Sequence, residues 1–355
     1  MRRCPLLLPL LIACAEERSA APKAQSPEDC PAATAPDVDL DDALAGHALE
    51  TVSYTPPWTE ARDLDLHIWY ATDDESGEPT RYLDFMSDPE SLHGAALAAP
   101  EGCGFPLVLY SHGYQGWAGN GSDVLRQFVR NGWIAAAPDH AGNTLTDNVE
   151  PVPLSFDMTR VTDLLASLDH LAALPSDHPL AGRINTDRVL VLGHSYGAQT
   201  AWLLSGPTSD PEKVDAACAA EGCTAAERAA FDAPVTDPRL AAVAPLDGSA
   251  TGLVSPEGWA TRQTPVLAMS QPGEGPATAY AEAAGEGVSW ISIEGSCHET
   301  FTSTPVACDF PKDEGLSIVS TYLLAYGNLW VRDEDNGADL LSGDRVLDER
   351  VVVVP

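Results

Sequence analysis

The stretch Val189-Leu190-Val191-Leu192-Gly193-His194-Ser195-Tyr196-Gly197 decides the fold, because it joins a buried strand to a helix through one sharp turn. Four apolar residues, two of them β-branched, lead into a Gly-x-Ser-x-Gly pentapeptide, and residues 198–204 that follow have helical composition. A serine on such a turn is lifted clear of the sheet, and a Cβ on either glycine would collide with the flanking strand or helix. The pattern predicts that Ser195 is a nucleophile.

Strand and helix patterns alternate on both sides of this turn. Two alternating segments open the domain, a loop-rich stretch runs up to Pro100, and apolar strand patterns then recur to residue 293. Alternation of strand and helix requires parallel strands joined by crossovers. The sequence therefore predicts one α/β domain over residues 46–330, with a mostly parallel eight-stranded sheet and helices on both faces.

Two segments depart from the alternation. Residues 206–238 form a polar, alanine-rich insertion after the nucleophile helix, with the position of a lid, although a surface excursion pinned by a small disulfide fits equally well. Residues 331–355 form an acidic C-terminal tail without the spacing of a calcium loop. We expect this tail to be solvated surface.

A serine nucleophile needs a histidine base, and the histidine needs a carboxylate that fixes its tautomer. Only His298 of the nine histidines follows Ser195, and it lies in a loop directly after a strand. Two strand-end carboxylates compete for the third role: Asp247 closes an apolar run, whereas Glu274 lies four residues beyond its strand in a Gly/Pro loop. We assign Asp247, which gives the chain order serine, acid, histidine of α/β-hydrolases.

Acyl transfer also needs donors for the negative oxygen of the tetrahedral intermediate. On a turn of this kind, one backbone amide belongs to the residue after the nucleophile and the other to the loop after the third strand. These positions are Tyr196 and Tyr114, the latter directly after Ser111-His112-Gly113. His112 either braces this loop or touches the substrate.

Four motifs together resemble the platelet-activating-factor acetylhydrolase group and its bacterial dienelactone-hydrolase-like relatives. They are Ser111-His112-Gly113, Gly193-His194-Ser195-Tyr196-Gly197, Leu246-Asp247 and Gly295-Ser296-Cys297-His298-Glu299-Thr300-Phe301. The resemblance covers residues 100–330 and implies an α/β-hydrolase fold with the acid after the sixth strand, as at Asp247. It implies a serine hydrolase of carboxylic esters, with short-chain or acetyl esters of small molecules or lipids as substrates and no cofactor. A polyester or cutin-type hydrolase and a catalytically silent envelope-binding lipoprotein are the alternatives.

The charge of the chain limits its partners. The formal net charge is −34, and the sequence has three lysines, Lys23, Lys213 and Lys312. Nucleic acid is excluded as a partner because its phosphates would be repelled. Acidity this strong favours a solvated surface and a monomeric protein.

The first 14 residues have the pattern of an export signal, with Arg2 and Arg3 ahead of an apolar run too short to span a bilayer. Leu11-Ile12-Ala13-Cys14 resembles a bacterial lipobox, which predicts lipidation of Cys14, a flexible tether over residues 15–45 and membrane tethering in the cell envelope. A cut one residue later, in Ala13-Cys14-Ala15, would instead give a secreted protein.

Six cysteines remain once residues 1–13 are removed and Cys14 is acylated. An even number in an exported chain favours disulfides. Short loop closure favours Cys218–Cys223 and Cys297–Cys308, which leaves Cys30 for Cys103. The sequence has neither a C-x-x-C pair nor an H-E-x-x-H helix, so we expect no metal site.

Overall fold

The computed structural model describes residues 44–98, 104–273, 287–304 and 308–354. The strands in these ranges are β1 (Ala45–Tyr54), β2 (Arg62–Ala71), β3 (Glu78–Tyr82), β4 (Met86–His93), β5 (Phe105–Ser111), β6 (Ile134–Pro138), β7 (Ile184–His194), β8 (Leu240–Leu246), β9 (Val266–Ser270), β10 (Val288–Ile293) and β11 (Val351–Val354). The helices are α1 (Ser122–Arg130), α2 (Phe156–Ala172), α3 (Tyr196–Leu204), α4 (Pro211–Glu221), α5 (Ala225–Ala229), α6 (Pro256–Trp259), α7 (Lys312–Gly327) and α8 (Ala338–Leu341).

Within the described ranges, all the strands form one sheet in the order β11-β10-β9-β8-β7-β5-β6-β2-β1-β4-β3. The strands from β5 to β10 pair in parallel, and β1 and β2 join them as an antiparallel pair. This confirms the predicted α/β class and the mostly parallel sheet. Parallel pairing places the ends of β5, β7, β8, β9 and β10 at one edge, where such sheets bind ligands.

Strand β7 explains why the sheet is covered on both faces. Val189 and Val191 pack into one apolar cluster with α2 and α3, while Leu190 and Leu192 pack into a second cluster with α1 and α7. All four side chains have no exposed surface. Burying each stabilises the fold by about 1.5–3 kcal/mol, so the continuous apolar run is the signature of a central strand.

The sheet is wider than the eight strands that the sequence predicted. The extra strands are β3 and β4, which pair with each other and extend the sheet beyond β1, and β11, which pairs with β10 at the opposite edge. Strands β3 and β4 fall in the stretch predicted to be loop-rich. Their sequences, EPTRY and MSDPESLH, carry proline and polar residues and lack apolar alternation. An edge strand such as β3 tolerates this, and β4 beside it pairs with β1 only at residues 91–93, beyond its proline.

The C-terminal segment also differs from the expected solvated tail. Val331 is 5% exposed, Leu340 has no exposed surface, and Val351 in β11 is 5% exposed. The prediction of a solvated tail was based on the net acidity of residues 331–355 and overlooked these three apolar positions. Each of them packs in the cluster that includes α7. The solvated part includes acidic residues between them, such as Asp335 and Asp339, which are exposed.

The insertion of residues 206–238 contains α4 and α5, with the Cys218–Cys223 disulfide closing the turn between them. Val214 and Phe231 are buried in the apolar cluster on the α2 side of the sheet. Ser155, just before α2, donates a hydrogen bond to Glu227 of α5. The insertion is thus packed on the domain, and its action as a lid stays a prediction.

None of the helices in the described ranges combines the length and the hydropathy required to cross a membrane.

Candidate active site

Ser195 lies at the turn between β7 and α3, with φ 58° and ψ −116°. A positive φ on a residue with a side chain costs about 1–3 kcal/mol and persists only where the surroundings enforce it. Here the Ser195 N–H donates to the carbonyl of Leu246 at the end of β8, 3.0 Å away. The strained turn presents the hydroxyl to a cavity at the sheet edge.

Two glycines allow the close packing around this turn. A Cβ on Gly193 would lie 2.0 Å from the carbonyl oxygen of Gly197, and a Cβ on Gly197 would lie 1.9 Å from the carbonyl oxygen of Ser111. Both distances are far inside van der Waals contact. The glycines therefore bring the backbones of β7, α3 and the end of β5 together around Ser195.

The predicted base and acid are in direct contact. His298 begins a short 3₁₀ helix after β10, and its Nδ1 lies 2.6 Å from Oδ2 of Asp247, the residue after β8. The Asp247 carboxylate has no exposed surface. Gln271 donates to it from its backbone N–H and from its side-chain amide, each at 2.9 Å. Three hydrogen bonds thus fix the carboxylate, which fixes the imidazole with the proton on Nδ1.

Ser195, Asp247 and His298 line one cavity of about 320 Å³. No hydrogen bond joins the Ser195 hydroxyl to the His298 imidazole among the described residues. Bonds between a nucleophile and its base often form only in the complex with substrate. Because Nδ1 donates to Asp247, the other ring nitrogen, Nε2, carries the lone pair that can accept a proton.

A second histidine, His194, supports His298, and the sequence did not indicate this contact. Its ring packs 4.4 Å from the His298 ring between centroids, and its Nε2 donates to the His298 backbone carbonyl at 3.0 Å. Burial lowers the pKa of His194 to about 3, so it is neutral. The only sequence signal for this role is its place beside Ser195 in the pentapeptide.

The pH dependence of activity tests the base. The hydrogen bond to Asp247 raises the pKa of His298 above its ordinary 6.5. Only neutral imidazole can take a proton, so we expect kcat/KM for p-nitrophenyl acetate to rise with pH through one ionisation whose midpoint lies above 6.5. A flat profile between pH 5 and 8 would contradict His298 as the base.

The two predicted oxyanion donors flank Ser195. A Cβ on Gly113 would lie 3.6 Å from Ser195 Oγ, so the loop that follows β5 runs beside the hydroxyl. The backbone N–H groups of Tyr114 and Tyr196 donate to no described residue. Two such amides beside a serine that lines a cavity are what an oxyanion hole requires.

His112 fixes the direction of the Tyr114 amide. The Gly113 carbonyl accepts from His112 Nδ1 at 2.8 Å and from the Gly116 N–H at 3.1 Å. Because the peptide is planar and trans, holding this carbonyl aims the Tyr114 N–H the opposite way. His112 Nε2 accepts from the backbone N–H of His140 at 3.0 Å, and burial holds the pKa of His112 well below 6.5. Of its two candidate roles, His112 therefore braces the loop.

The two short disulfides predicted from the sequence, Cys218–Cys223 and Cys297–Cys308, are both formed. Cys297 directly precedes His298, so its disulfide ties the loop that carries His298 to the segment before α7. The predicted pair of Cys30 with Cys103, the lipidation site Cys14 and the alternative acid Glu274 lie outside the described residues.

Removing either disulfide should lower stability, but only removal of Cys297–Cys308 should also lower activity. Changing Cys297 and Cys308 to serine should lower the free energy of unfolding by about 3 kcal/mol and also lower kcat, because the His298 loop gains freedom. The matched change at Cys218 and Cys223 should lower stability by about 2 kcal/mol and leave kcat unchanged. Thermal unfolding and ester hydrolysis measure both effects. Equal kcat values for the two double variants would contradict the proposed restraint of His298.

Within the described ranges, no group of three or more histidine, cysteine, aspartate or glutamate residues is arranged to hold a metal ion.

Comparisons with known proteins bear on the fold. No protein-family model and no curated protein sequence matches the chain. Among solved structures, it is similar to the ferulic acid esterase from Streptomyces cinnamoneus, with a TM-score of 0.64 and 17% sequence identity. The match covers 88% of this chain and 96% of the esterase chain. Together with the strand order, this similarity establishes that the chain has an α/β-hydrolase fold.

Proposed function

We propose that this protein is a serine hydrolase that cleaves carboxylic esters through an acyl-Ser195 intermediate. The observation that carries the proposal is the 2.6 Å contact between His298 and the buried Asp247, in the same cavity as the strained Ser195. A histidine with a fixed tautomer in the same cavity as a serine is the arrangement that activates a hydroxyl for acyl transfer.

The reaction follows from the roles of these atoms. Ser195 Oγ attacks the ester carbonyl carbon while His298 Nε2 takes the hydroxyl proton, and the carbonyl oxygen becomes an oxyanion held by the amides of Tyr114 and Tyr196. Collapse of this intermediate breaks the ester bond, and the leaving alcohol takes the proton from His298. A water molecule, deprotonated by His298, then attacks the acyl carbon. Collapse of this second intermediate breaks the bond to Ser195 Oγ, which takes the proton back from His298, and releases the acid.

The lining of the cavity favours a short acyl group. Around Ser195 and His298, the walls include Tyr196, Gln199 and Ser249, together with backbone at Gly248. A long fatty chain needs apolar walls, because burying it against amides and hydroxyls gains little and desolvates them. Short-chain or acetyl esters fit this lining, in line with the resemblance to the platelet-activating-factor acetylhydrolase group. The ferulic acid esterase with the similar fold makes an aromatic acyl ester a second substrate to compare.

A labelling experiment and an acyl-chain series test the proposal. A fluorophosphonate should add one adduct, on Ser195, and p-nitrophenyl acetate should be cleaved with a higher kcat/KM than the octanoate ester. Methyl ferulate and a polyester film complete the series. Absence of labelling under conditions that label a known esterase would contradict the mechanism, and preference for octanoate or the film would contradict the short acyl group.

The cell envelope is the location that we propose for this activity. The two disulfides are typical of proteins from oxidising compartments. We retain Cys14 as the lipidation site that would tether a monomeric enzyme to the membrane. Metabolic labelling with an alkyne fatty acid should tag the wild type and leave the Cys14→Ser variant unlabelled.

A further inference from the structure

A second serine, histidine and aspartate form a hydrogen-bonded array below the active site. Ser111 Oγ lies 2.9 Å from His140 Nε2, and His140 Nδ1 lies 2.7 Å from Asp163 Oδ2. Ser111 ends β5, His140 follows β6, and Asp163 lies in α2. All three have no exposed surface, so no substrate reaches Ser111. The array has the connectivity of a catalytic triad in a place where it cannot act as one.

The charges in the array fix its protons. Asp163 accepts two hydrogen bonds from the Arg62 guanidinium, at 3.0 and 3.1 Å, and one from the Tyr54 hydroxyl. Burial holds the pKa of His140 well below its ordinary value, so the ring is neutral. Its Nδ1–H therefore donates a hydrogen bond to Asp163, and its Nε2 accepts a hydrogen bond from the Ser111 hydroxyl. Asp163 is thus a paired carboxylate that orients His140.

Arg160 connects this array to both halves of the oxyanion hole. Its guanidinium donates to Ser111 Oγ at 3.2 Å and to the backbone carbonyl of His112. It also lies over the ring of Tyr196, 4.7 Å from the centroid. The side chain of Arg160 is completely buried between the loop that carries one proposed donor and the residue that supplies the other.

His140 holds the oxyanion loop at two successive residues. Its side chain binds Ser111, and its backbone N–H binds the ring of His112, which in turn orients the peptide of Gly113 and Tyr114. The Ser111 carbonyl also packs where a Cβ of Gly197 would be, so a shift of this strand end would disturb the start of α3. The position of the loop relative to Ser195 therefore depends on the buried array.

We propose that Ser111, His140 and Asp163, with Arg160, are positioning residues that hold the Tyr114 amide in register with Ser195 for the transition state. The proposal rests on the proposed esterase function. A properly placed oxyanion donor contributes about 10²–10³-fold to kcat, and loosening its support loses part of that factor. The loss should fall on kcat, because the donor binds the oxyanion and not the ground-state carbonyl.

The test compares Ser111→Ala with Ser205→Ala in the purified mature protein. Ser205, the residue after α3, is equally buried, and within the described part of the chain its hydroxyl donates only to the Trp202 carbonyl, so it matches the loss of one buried hydroxyl. For p-nitrophenyl acetate we expect Ser111→Ala to lower kcat by about 10–10²-fold with KM within twofold. The inhibition constant of phenylboronic acid, which forms a tetrahedral adduct with the serine, should rise by the same factor. Ser205→Ala should keep both values.

Several results would overturn the proposal. These are wild-type kcat and boronate affinity in Ser111→Ala, equal kcat losses in both variants, and fluorophosphonate labelling of Ser111 in a Ser195→Ala background. If Ser111→Ala does not fold, Ser111→Cys fills the site with a slightly larger thiol that hydrogen-bonds more weakly than the hydroxyl. Its kcat and its boronate affinity should fall in the same direction. An inactive wild-type protein would contradict the esterase function itself, which separates the two failures.

Discussion

Replacing Ser195 with alanine is expected to lower kcat for p-nitrophenyl acetate by about 10⁴-fold or more. The variant lacks the only atom that the mechanism uses to attack the ester, and the residual rate comes from binding and the oxyanion donors alone. The fold should survive, because alanine adds no atoms at the strained turn. Steady-state kinetics and the mass of the fluorophosphonate adduct measure the effect, and the adduct should disappear.

The control for this loss is Ser205→Ala, which removes a buried hydroxyl directly after α3, at the opposite end of the helix from Ser195, without touching the cavity. It should label with the fluorophosphonate and keep its kcat. If Ser195→Ala retained more than a tenth of the wild-type kcat, this result would contradict the acyl-serine mechanism. Activity at that level would have to come from another nucleophile.

Replacing Asp247 with asparagine is the second large effect, an expected loss of about 10³–10⁴-fold in kcat at neutral pH. An asparagine amide can donate to Nδ1 of His298, which moves the imidazole proton to Nε2 and removes the lone pair that accepts from Ser195. The hydrogen bond that raises the pKa of His298 is lost in the same step. The midpoint of the pH profile should therefore move to lower pH.

Glu274→Gln is the matched control, because Glu274 was the alternative acid in the sequence. It makes the same change of carboxylate to amide and should leave kcat within about threefold of the wild type. Circular dichroism and thermal unfolding establish that both variants are folded. A large loss in Glu274→Gln with a small one in Asp247→Asn would reverse the assignment of the acid.

The central sheet could be predicted because local pattern and chain order determine it. Strands such as β7 are buried on both faces and appear in the sequence as continuous apolar runs, and alternation with helices then requires parallel pairing. The strands at the edges of the sheet, and β4 next to one edge, carry no such pattern. Strands β3 and β4 are polar, and the four valines of β11 follow an acidic segment whose charge dominated the prediction.

The Gly-x-Ser-x-Gly turn, the order Ser195, Asp247, His298 and the two short disulfides were determined by the sequence itself. The turn and the disulfides depend on residues close together in the sequence. The order of the three residues depends on which strands they follow along the chain. The supporting groups depend on elements that are far apart in sequence. His194 beneath His298, Gln271 on Asp247, and the array of His140, Asp163 and Arg160 became visible only when the helices and strands were packed together. A buried polar group needs a partner, and the tertiary structure decides which one is within reach.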